Sequence, residues 1–179
     1  MEWVILAVAV SVLLLAGLGI TAWLVPVHQL HSRARDLPQR PDEIWRVLTN
    51  FEDYPQWRRG LRSVTRVPSA PHEELWRESY ARGGRTLRTD IEEPGRVLCR
   101  HIAGRHLQFG GVWRFELEAQ RAGGTRLRIT AAAEYYRPMQ RLFARFISGE
   151  ASAIERFMAD LAKELARQNP MGPPSRRNG

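Results

Sequence analysis

Six segments between residues 61 and 135 alternate apolar and polar side chains, and turn-forming residues separate them. A period of two is typical of a β-strand, whose successive side chains point to opposite faces of a sheet. The glycine pairs at 83–84 and 123–124, together with Pro94 and Gly95, suit tight hairpins. The pattern predicts consecutive antiparallel strands over residues 61–67, 73–81, 86–92, 97–102, 111–119 and 125–135.

Apolar side chains recur on one face of these predicted strands, and charged side chains such as Arg88, Asp90 and Arg114 occupy the other face. The apolar positions are Leu87, Thr89, Ile91, Trp113, Phe115, Leu117, Leu127, Ile129 and Ala131. A sheet with one apolar face needs a second layer that covers it.

The segments before and after these six strands predict one further strand and three helical segments. Residues 28–36 alternate loosely and predict a first strand, after which Pro41 and two acidic residues open a helix. Residues 51–57 are short and broken by proline, so they predict one aromatic helical turn. From Met139 to Leu165, apolar residues recur at helical spacing, which predicts one long amphipathic helix against the apolar sheet face.

The first 27 residues differ from the rest of the chain. No charged side chain occurs from Trp3 to Val27, and about 23 helical residues reach roughly 35 Å, more than the hydrocarbon thickness of a bilayer. A cleaved signal peptide is the alternative, but it would have a basic start and a shorter apolar stretch. We therefore predict a transmembrane anchor at 1–27, a domain at 28–168 and a disordered tail at 169–179.

The distribution of charge predicts the orientation of this anchor. No basic residue precedes the apolar segment, whereas Arg33, Arg35 and Arg40 follow it closely, which favours a single-pass membrane protein with a cytoplasmic domain. The formal net charge is +8, and Lys163 is the only lysine. Such basicity beside a bilayer favours anionic headgroups over nucleic acid as a partner. Cys99 is the only cysteine, so no internal disulfide can form.

The opening helices carry the clearest family motif. Residues 41–48 (PDEIWRVL) and 51–57 (FEDYPQW) resemble the opening signature of the SRPBCC or START-like superfamily, which includes Bet v 1 allergens, polyketide cyclases/dehydrases and coenzyme Q-binding proteins. Residues 111–115 (GVWRF) and 124–127 (GTRL) resemble its late strand pair. The resemblance implies an α+β helix-grip fold, in which a curved antiparallel sheet wraps around a long C-terminal helix.

The resemblance also implies a hydrophobic cavity between the sheet and that helix, for a lipid, quinone or polyketide-like ligand. The interior positions that the strand and helix patterns predict for such a cavity are Leu87, Thr89, Ile91, Cys99, His101, Trp113, Phe115, Leu117, Leu127, Ile129, Tyr135, Phe143, Phe146 and Phe157. Large aromatic side chains could instead fill the space completely, leaving a closed core.

Few residues indicate catalysis or metal binding. Cys99, His101 and His106 are close in sequence, but a fourth ligand is not evident, so we predict no metal site and no cofactor. An enzyme of the cyclase type would use interior groups such as His101, Thr89 and Tyr135, with Glu134 less favoured. The glutamates of the strands, including Glu78, and the arginines 58, 59 and 62 are expected on the solvated surface.

Three functions are compatible with these patterns. The first is a membrane-anchored, non-catalytic protein that takes an apolar ligand from the adjacent bilayer. The second is a cyclase/dehydrase-like enzyme, for which no catalytic residue can be assigned. The third is an accessory subunit of a membrane complex, which would dock through Trp57 and Arg58 onto an unidentified membrane-protein partner.

Overall fold

The computed structural model describes residues 1–6, 10–11, 17, 28–103, 109–135 and 150–169. Within these ranges, no helix combines the length and the apolar character that crossing a membrane requires. Most of the predicted transmembrane segment, including residues 18–27, lies outside the described residues, as does the tail from residue 170. The anchor at residues 1–27 and the disordered tail therefore stay predictions.

The described domain contains seven strands and three helices in the predicted order. Strand β1 leads into two helices, α1 and α2, which a 3₁₀ turn joins, and a run of strands precedes the last helix. The bounds are β1 His28–Leu37, α1 Pro41–Thr49, the 3₁₀ turn Phe51–Asp53, α2 Tyr54–Trp57, β2 Leu61–Val67, β3 Glu74–Tyr80, β4 Gly83–Glu93, β5 Val97–Ala103, β6 Phe109–Ala119, β7 Thr125–Tyr135 and α3 Glu150–Gln168.

The strands form one antiparallel sheet in the order β1-β7-β6-β5-β4-β3-β2. Strand β1 pairs with β7, from the other end of the domain, and places Leu37 opposite Thr125. The chain therefore passes through α1 and α2 to reach the far edge of the sheet before the meander returns. This arrangement confirms the predicted α+β helix-grip fold. The start of the predicted long helix, residues 139–149, lies outside the described residues.

Local sequence signals explain how α1 and the turn after it form. Pro41 occupies the first turn of α1, and the Glu43 carboxylate accepts the backbone N–H of Arg40 at 3.0 Å. The hydroxyl of Tyr54 is buried and donates to the carbonyl of Leu48 at 2.7 Å, which fixes α2 against α1. The predicted aromatic turn over residues 51–57 is thus present as a 3₁₀ turn followed by one turn of α-helix.

Gly124 is required in the hairpin between β6 and β7. It has a φ of 81°, and a Cβ at this position would collide with the carbonyl oxygen of Leu37. Because Leu37 ends β1, this close approach joins the β6–β7 hairpin to the edge strand just before α1 begins.

The core lies between the sheet and α3, with α1 and α2 closing one end. We call the sheet face that contacts α3 the inner face and the opposite one the outer face. The inner face contributes Phe115, Leu117, Leu127, Ile129 and Ala131, all of which are buried. They form one cluster with Ile44 and Leu48 of α1 and with Ile154, Phe157, Met158, Leu161 and Leu165 of α3. The predicted segregation of apolar and charged faces is confirmed for these strands.

Candidate functional site

A cleft opens between the inner face of the sheet and the N-terminal half of α3. Its volume is about 250 Å³. The lining residues come from the α2–β2 connection, from three strands and from α3, and they are Arg58, Arg59, Tyr80, Arg85, Trp113, Ala153, Arg156, Phe157 and Asp160. The cleft is therefore built from segments that are far apart in the sequence and meet only in the folded protein.

A second cavity of about 20 Å³ lies deeper and shares Arg58, Arg85, Trp113 and Phe157 with the cleft. Leu87, Arg100, Ile102 and Phe115 complete its lining. This volume is about enough for one water molecule. Between these side chains the interior is therefore closely packed, and the larger space lies nearer the surface.

Aromatic rings form the apolar wall of the cleft. The ring of Phe157 lies 5.9 Å from that of Trp113, 5.4 Å from that of Phe115 and 5.5 Å from that of Trp57. These separations are typical of favourable edge-to-face and tilted aromatic pairs. Phe157 thus connects α3 to both the sheet and α2, and Trp113 and Phe157 remain accessible from the cleft.

A buried carboxylate, Glu78, stands below this aromatic wall, on the inner face of β3. Its Oε1 atom accepts hydrogen bonds from Arg58 at 2.8 Å and from Arg100 at 2.7 Å. Its Oε2 atom accepts the Tyr80 hydroxyl at 2.5 Å and Arg85 Nε at 3.1 Å. We call Glu78, Arg58, Arg85, Arg100 and Tyr80 the Glu78 cluster. Both carboxylate oxygens are therefore satisfied by charged or polar donors.

The electrostatics of the Glu78 cluster fix its protonation states. Burial raises the pKa of the Glu78 carboxyl, but attraction to Arg58, Arg100 and Arg85 outweighs burial and holds that pKa well below its usual range. Burial raises the pKa of the Tyr80 hydroxyl above its ordinary value. Glu78 is therefore ionised and Tyr80 protonated at neutral pH, so neither group is set to exchange a proton with a ligand.

Arg100 is the most deeply placed arginine of the cluster. Its side chain is 5% exposed, and its guanidinium carbon lies 4.4 Å from the centre of the Phe51 ring. One of its terminal nitrogens, Nη1, donates to Glu78. Nε and Nη2 are buried, and neither has a hydrogen-bond partner within the part of the chain that the structure describes. Arg100 thus brings unused donors to the floor of the site.

An ion pair fixes the rim of the cleft. Arg59 donates from Nε to Asp160 Oδ1 at 2.7 Å and from its backbone N–H to Oδ2 at 3.1 Å. Because Asp160 lies on α3, this double contact joins the α2–β2 connection to the helix across the mouth of the cleft. Both residues line the cleft, so the pair also contributes to the shape of its entrance.

Four of the predicted cavity residues, Leu87, Trp113, Phe115 and Phe157, line the cleft or the deeper cavity. Thr89, Leu117, Leu127 and Ile129 are buried on the inner face away from both spaces. Phe143, Phe146 and the side chain of Tyr135 lie outside the described residues, as does His106.

The prediction is wrong for Cys99 and His101. Cys99 lies opposite Asp90 and Arg114 in the sheet register, which places it on the outer face. Its thiol contacts Glu92 at 3.1 Å, and His101 Nε2 contacts Asp90 at 3.2 Å. The two residues point the same way, as residues two apart on a strand do, but away from the cavity.

Ile91 also departs from the prediction. It belongs to the inner face but is 48% exposed, because the pairing of β3 with β4 ends at Thr89 and leaves Ile91 without a neighbour from β3. Alternation along a strand predicts the face of a side chain, whereas the reach of the neighbouring strands decides whether that face is covered.

Sequence reasoning missed the Glu78 cluster, because Glu78 and Arg58 were expected on the solvated surface. The alternation of side chains in β3 and β5 does contain a signal for the Glu78 cluster. Glu78 lies two residues from Trp76 on the same face, and Arg100 stands between Leu98 and Ile102 in the same period. Charged residues in the apolar register of two nearby strands indicate a buried polar site.

Within the described ranges, no group of three or more histidine, cysteine, aspartate or glutamate side chains is arranged to hold a metal ion. The carboxylates nearest the cleft, Glu78 and Asp160, are each engaged by arginine. The described chemistry of the site is therefore that of arginine and aromatic side chains.

The fold and the cleft together define a helix-grip protein of the START-like superfamily. More narrowly, the chain belongs to the family described as polyketide cyclase/dehydrase and lipid transport, whose model matches residues 37–159. No curated protein sequence matches the chain significantly.

Solved structures support the fold assignment. The Zhui aromatase/cyclase of a Streptomyces species is 14% identical with a TM-score of 0.64, and the comparison covers 79% of this chain and 95% of that one. A START superfamily protein from Mycobacterium smegmatis is 13% identical with a TM-score of 0.63, covering 78% and 98%. A Mesorhizobium loti protein is 23% identical with a TM-score of 0.58, covering 78% and 98%. At these identities the likeness shows the fold alone.

Proposed function

We propose that this protein binds a small hydrophobic ligand, such as a lipid, quinone or polyketide-like molecule, in the cleft between the sheet and α3. The observation that carries the proposal is the open cleft of about 250 Å³ with Trp113 and Phe157 on its wall. Small-molecule sites combine an apolar wall with placed polar groups, and in this cleft Trp113, Phe157 and Ala153 supply the apolar part beside several arginines. The family description, which includes lipid transport, agrees with this function.

Binding without chemical conversion is the form of the proposal that the protonation states favour. Glu78 is held ionised and Tyr80 protonated, so the polar floor recognises a ligand rather than exchanging protons with it. The second candidate is a cyclase-type enzyme, which the family description and the Zhui aromatase/cyclase support. It predicts that a bound polyketide-like molecule is released in altered form, which mass spectrometry of the incubated ligand would detect.

The proposal extends to a membrane carrier anchored by residues 1–27, with the domain in the cytoplasm. The uncharged segment from Trp3 to Val27 supports this extension, because an anchor would raise the effective concentration of the site near its lipid. Protease added outside sealed spheroplasts should leave the domain intact. Digestion of the domain would contradict the cytoplasmic orientation. Release of the full chain from membranes by alkaline washing would contradict a transmembrane anchor.

The binding function is tested by purifying the full chain from the membranes of its host in an uncharged detergent. Organic extraction and mass spectrometry should find one class of apolar molecule near equimolar amounts. Ala153 lines the cleft, so Ala153→Trp should fill the space and abolish the extracted ligand. Ser152 is the adjacent, exposed residue, so Ser152→Trp serves as a matched control that retains the ligand.

Two results would overturn the binding function. One is equal ligand content in the wild-type chain and in Ala153→Trp, since a molecule bound elsewhere would be indifferent to the cleft. The other is an empty wild-type protein whose thermal midpoint does not change with a panel of lipids and quinones, because a ligand that binds the folded state must stabilise it. A protein that is empty but co-purifies with a membrane partner would instead support the accessory role.

A further inference from the structure

The cleft and the deeper cavity carry an imbalance of charge that a neutral ligand would leave uncompensated. Two carboxylates, Glu78 and Asp160, belong to this region. Among the residues that the structure describes, five arginines line it, so arginines outnumber carboxylates by three; they are Arg58, Arg59, Arg85, Arg100 and Arg156. Positive charge in a partly desolvated site attracts anions more strongly than the same charge in open solvent.

The excess of arginines over carboxylates is found mainly in the Glu78 cluster, at the inner end of the cleft. Arg58 and Arg100 donate to the same oxygen of Glu78, and Arg85 donates to the other, so one carboxylate holds three guanidinium groups together. Their side chains are 12%, 5% and 29% exposed for Arg58, Arg100 and Arg85, respectively. Glu78 therefore positions the arginines, and its single negative charge is shared among three guanidinium groups.

Arg100 supplies the second and independent observation. Its Nε and Nη2 atoms are buried beside the deeper cavity, and neither has a hydrogen-bond partner among the described residues. A buried donor without a partner is unfavourable, and a guanidinium presents its donors as a planar fork that matches a carboxylate or phosphate. The unused donors and the excess charge thus point to the same kind of ligand group.

We propose that the ligand is an amphiphile whose anionic head, a carboxylate or a phosphate monoester, lies where the cleft meets the deeper cavity, beside Arg58 and Arg85, and directs one oxygen into the water-sized deeper cavity toward Arg100. The apolar body then lies along Trp113 and Phe157 toward the mouth of the cleft. This inference rests on the proposed binding function and specifies the head of its ligand. A cationic head is repelled by the same arginines, and a neutral head can accept a hydrogen bond from Arg100 but does not balance the excess of positive charge.

The test uses four probes that share a ten-carbon chain and differ in the head: decanoate, decyl phosphate, decanol and decyltrimethylammonium. Equilibrium dialysis of the full chain in an uncharged maltoside detergent measures binding above that of the detergent alone. At least one anionic probe should bind about tenfold or more tighter than decanol, because hydrogen bonds to charged groups are stronger than neutral ones. The cationic probe should bind more weakly than decanol.

Variants separate the head site from the rest of the cleft. Arg100→Gln should weaken binding of the anionic probe about tenfold and so bring the ratio of anion to decanol affinity close to one. Arg128→Gln removes the same charge from an exposed position opposite Glu116 on the outer face, so it should change neither. Arg100→Lys keeps the charge but not the fork, so some preference for the anion should remain. The wild-type ranking of probes tests the inference even if Arg100→Gln fails to fold.

The outcomes distinguish the inference from the function on which it rests. Equal binding of decanol and both anions would overturn the anionic head while leaving hydrophobic-ligand binding in place. Binding of none of the four probes would overturn both. A preference for decanoate assigns a fatty-acid type of head, whereas a preference for decyl phosphate assigns a phosphorylated lipid. An anion preference that Arg128→Gln weakens as much as Arg100→Gln would reflect net charge alone and would overturn the assigned site.

Discussion

Charged side chains on the two faces of the same sheet differ in their solvent exposure and in their partners. On the outer face, charged side chains form pairs that water reaches: Arg88 with Asp90 at 3.1 Å, both 44% exposed, and Arg114 with Glu116 at 3.2 Å. On the inner face, Glu78 is fully buried and holds three arginines. Arg114 also pairs with Glu92 on the same exposed face, so an outer arginine can have two carboxylate partners. In the inner cluster the ratio is reversed, because one carboxylate without solvent access is shared by three arginines.

This difference shows how location changes the role of an ion pair. Exposed pairs contribute little to stability, because water solvates the separated charges nearly as well. In the interior, each charge has lost its hydration, so removing one partner leaves the others uncompensated. Loss of a residue from the inner cluster should therefore lower the free energy of unfolding strongly, and the cluster is well placed to recognise a charged ligand. The outer pairs mainly keep the surface polar.

The largest effect is expected from Glu78→Gln. This change removes the only carboxylate of the Glu78 cluster, to which the buried Arg100 and the partly buried Arg58 and Arg85 all donate. Loss of one partner from a buried ion pair lowers the free energy of unfolding by about 3–5 kcal/mol. Urea unfolding of the full chain measures this loss. Glu116→Gln on the outer face is the control. An equal loss of unfolding free energy in both variants would contradict the difference between the two faces.

Stability against pH provides the next test. The folded pKa of Glu78 lies below its unfolded value, which is about 4.3 for an ordinary glutamate, so its ionised form stabilises the folded state above that pH. This stabilisation is lost as the pH falls below about 4.3 toward the folded pKa. The difference in unfolding free energy between wild type and Glu78→Gln should therefore be constant near neutrality and shrink between about pH 4.5 and pH 3. A difference that stays constant down to pH 3 would contradict this assignment.

The reactivity of the Cys99 thiol tests the electrostatic environment of the outer face. Burial, followed by the hydrogen bond to Glu92, raises the pKa of the Cys99 thiol to about 11. At pH 8 the thiolate is thus scarce, and a disulfide reagent should react roughly a hundredfold more slowly than with a free cysteine. Glu92→Gln removes the charge that faces the thiol and should speed the reaction several-fold. Glu93 pairs with Arg96 instead, so Glu93→Gln should leave the rate unchanged.

The smallest effect is expected from Arg88→Gln. The Arg88–Asp90 pair is half exposed on both sides, so its loss should change the free energy of unfolding by less than about 0.5 kcal/mol. The same urea titration measures it. A loss above about 1 kcal/mol would show that the outer-face charges act as a cooperative network with Asp90 and His101 rather than as separate pairs.

Much of the fold could be predicted because its signals are local. The strand 61–67 and the strand 125–135 agree with the observed bounds, and β4 begins earlier than predicted, at Gly83. Gly83 itself has a positive φ of 97°, as the hairpin position requires. Turn residues and a period of two depend on neighbours along the chain, so they can be recognised without knowing what covers the sheet.

The site was predicted only in part, because it depends on pairs of residues that the chain does not place together. Trp113, Phe115 and Phe157 were found from their apolar register, and they line the observed cavities. Cys99 was placed on the wrong face, because Val97, Leu98 and Cys99 are three successive apolar residues, which offer no alternation from which to choose.

The sequence by itself determined the order of the elements, the antiparallel meander and the segregation of apolar from charged positions, since each follows from short-range periodicity and turn chemistry. Only the tertiary structure decided that Glu78 is buried and that Arg58, Arg85 and Arg100 surround it. Those partners lie up to 22 residues from Glu78. A charged side chain can occupy an interior position only when its counter-charges arrive from other segments, and that requirement is met by packing rather than by local pattern.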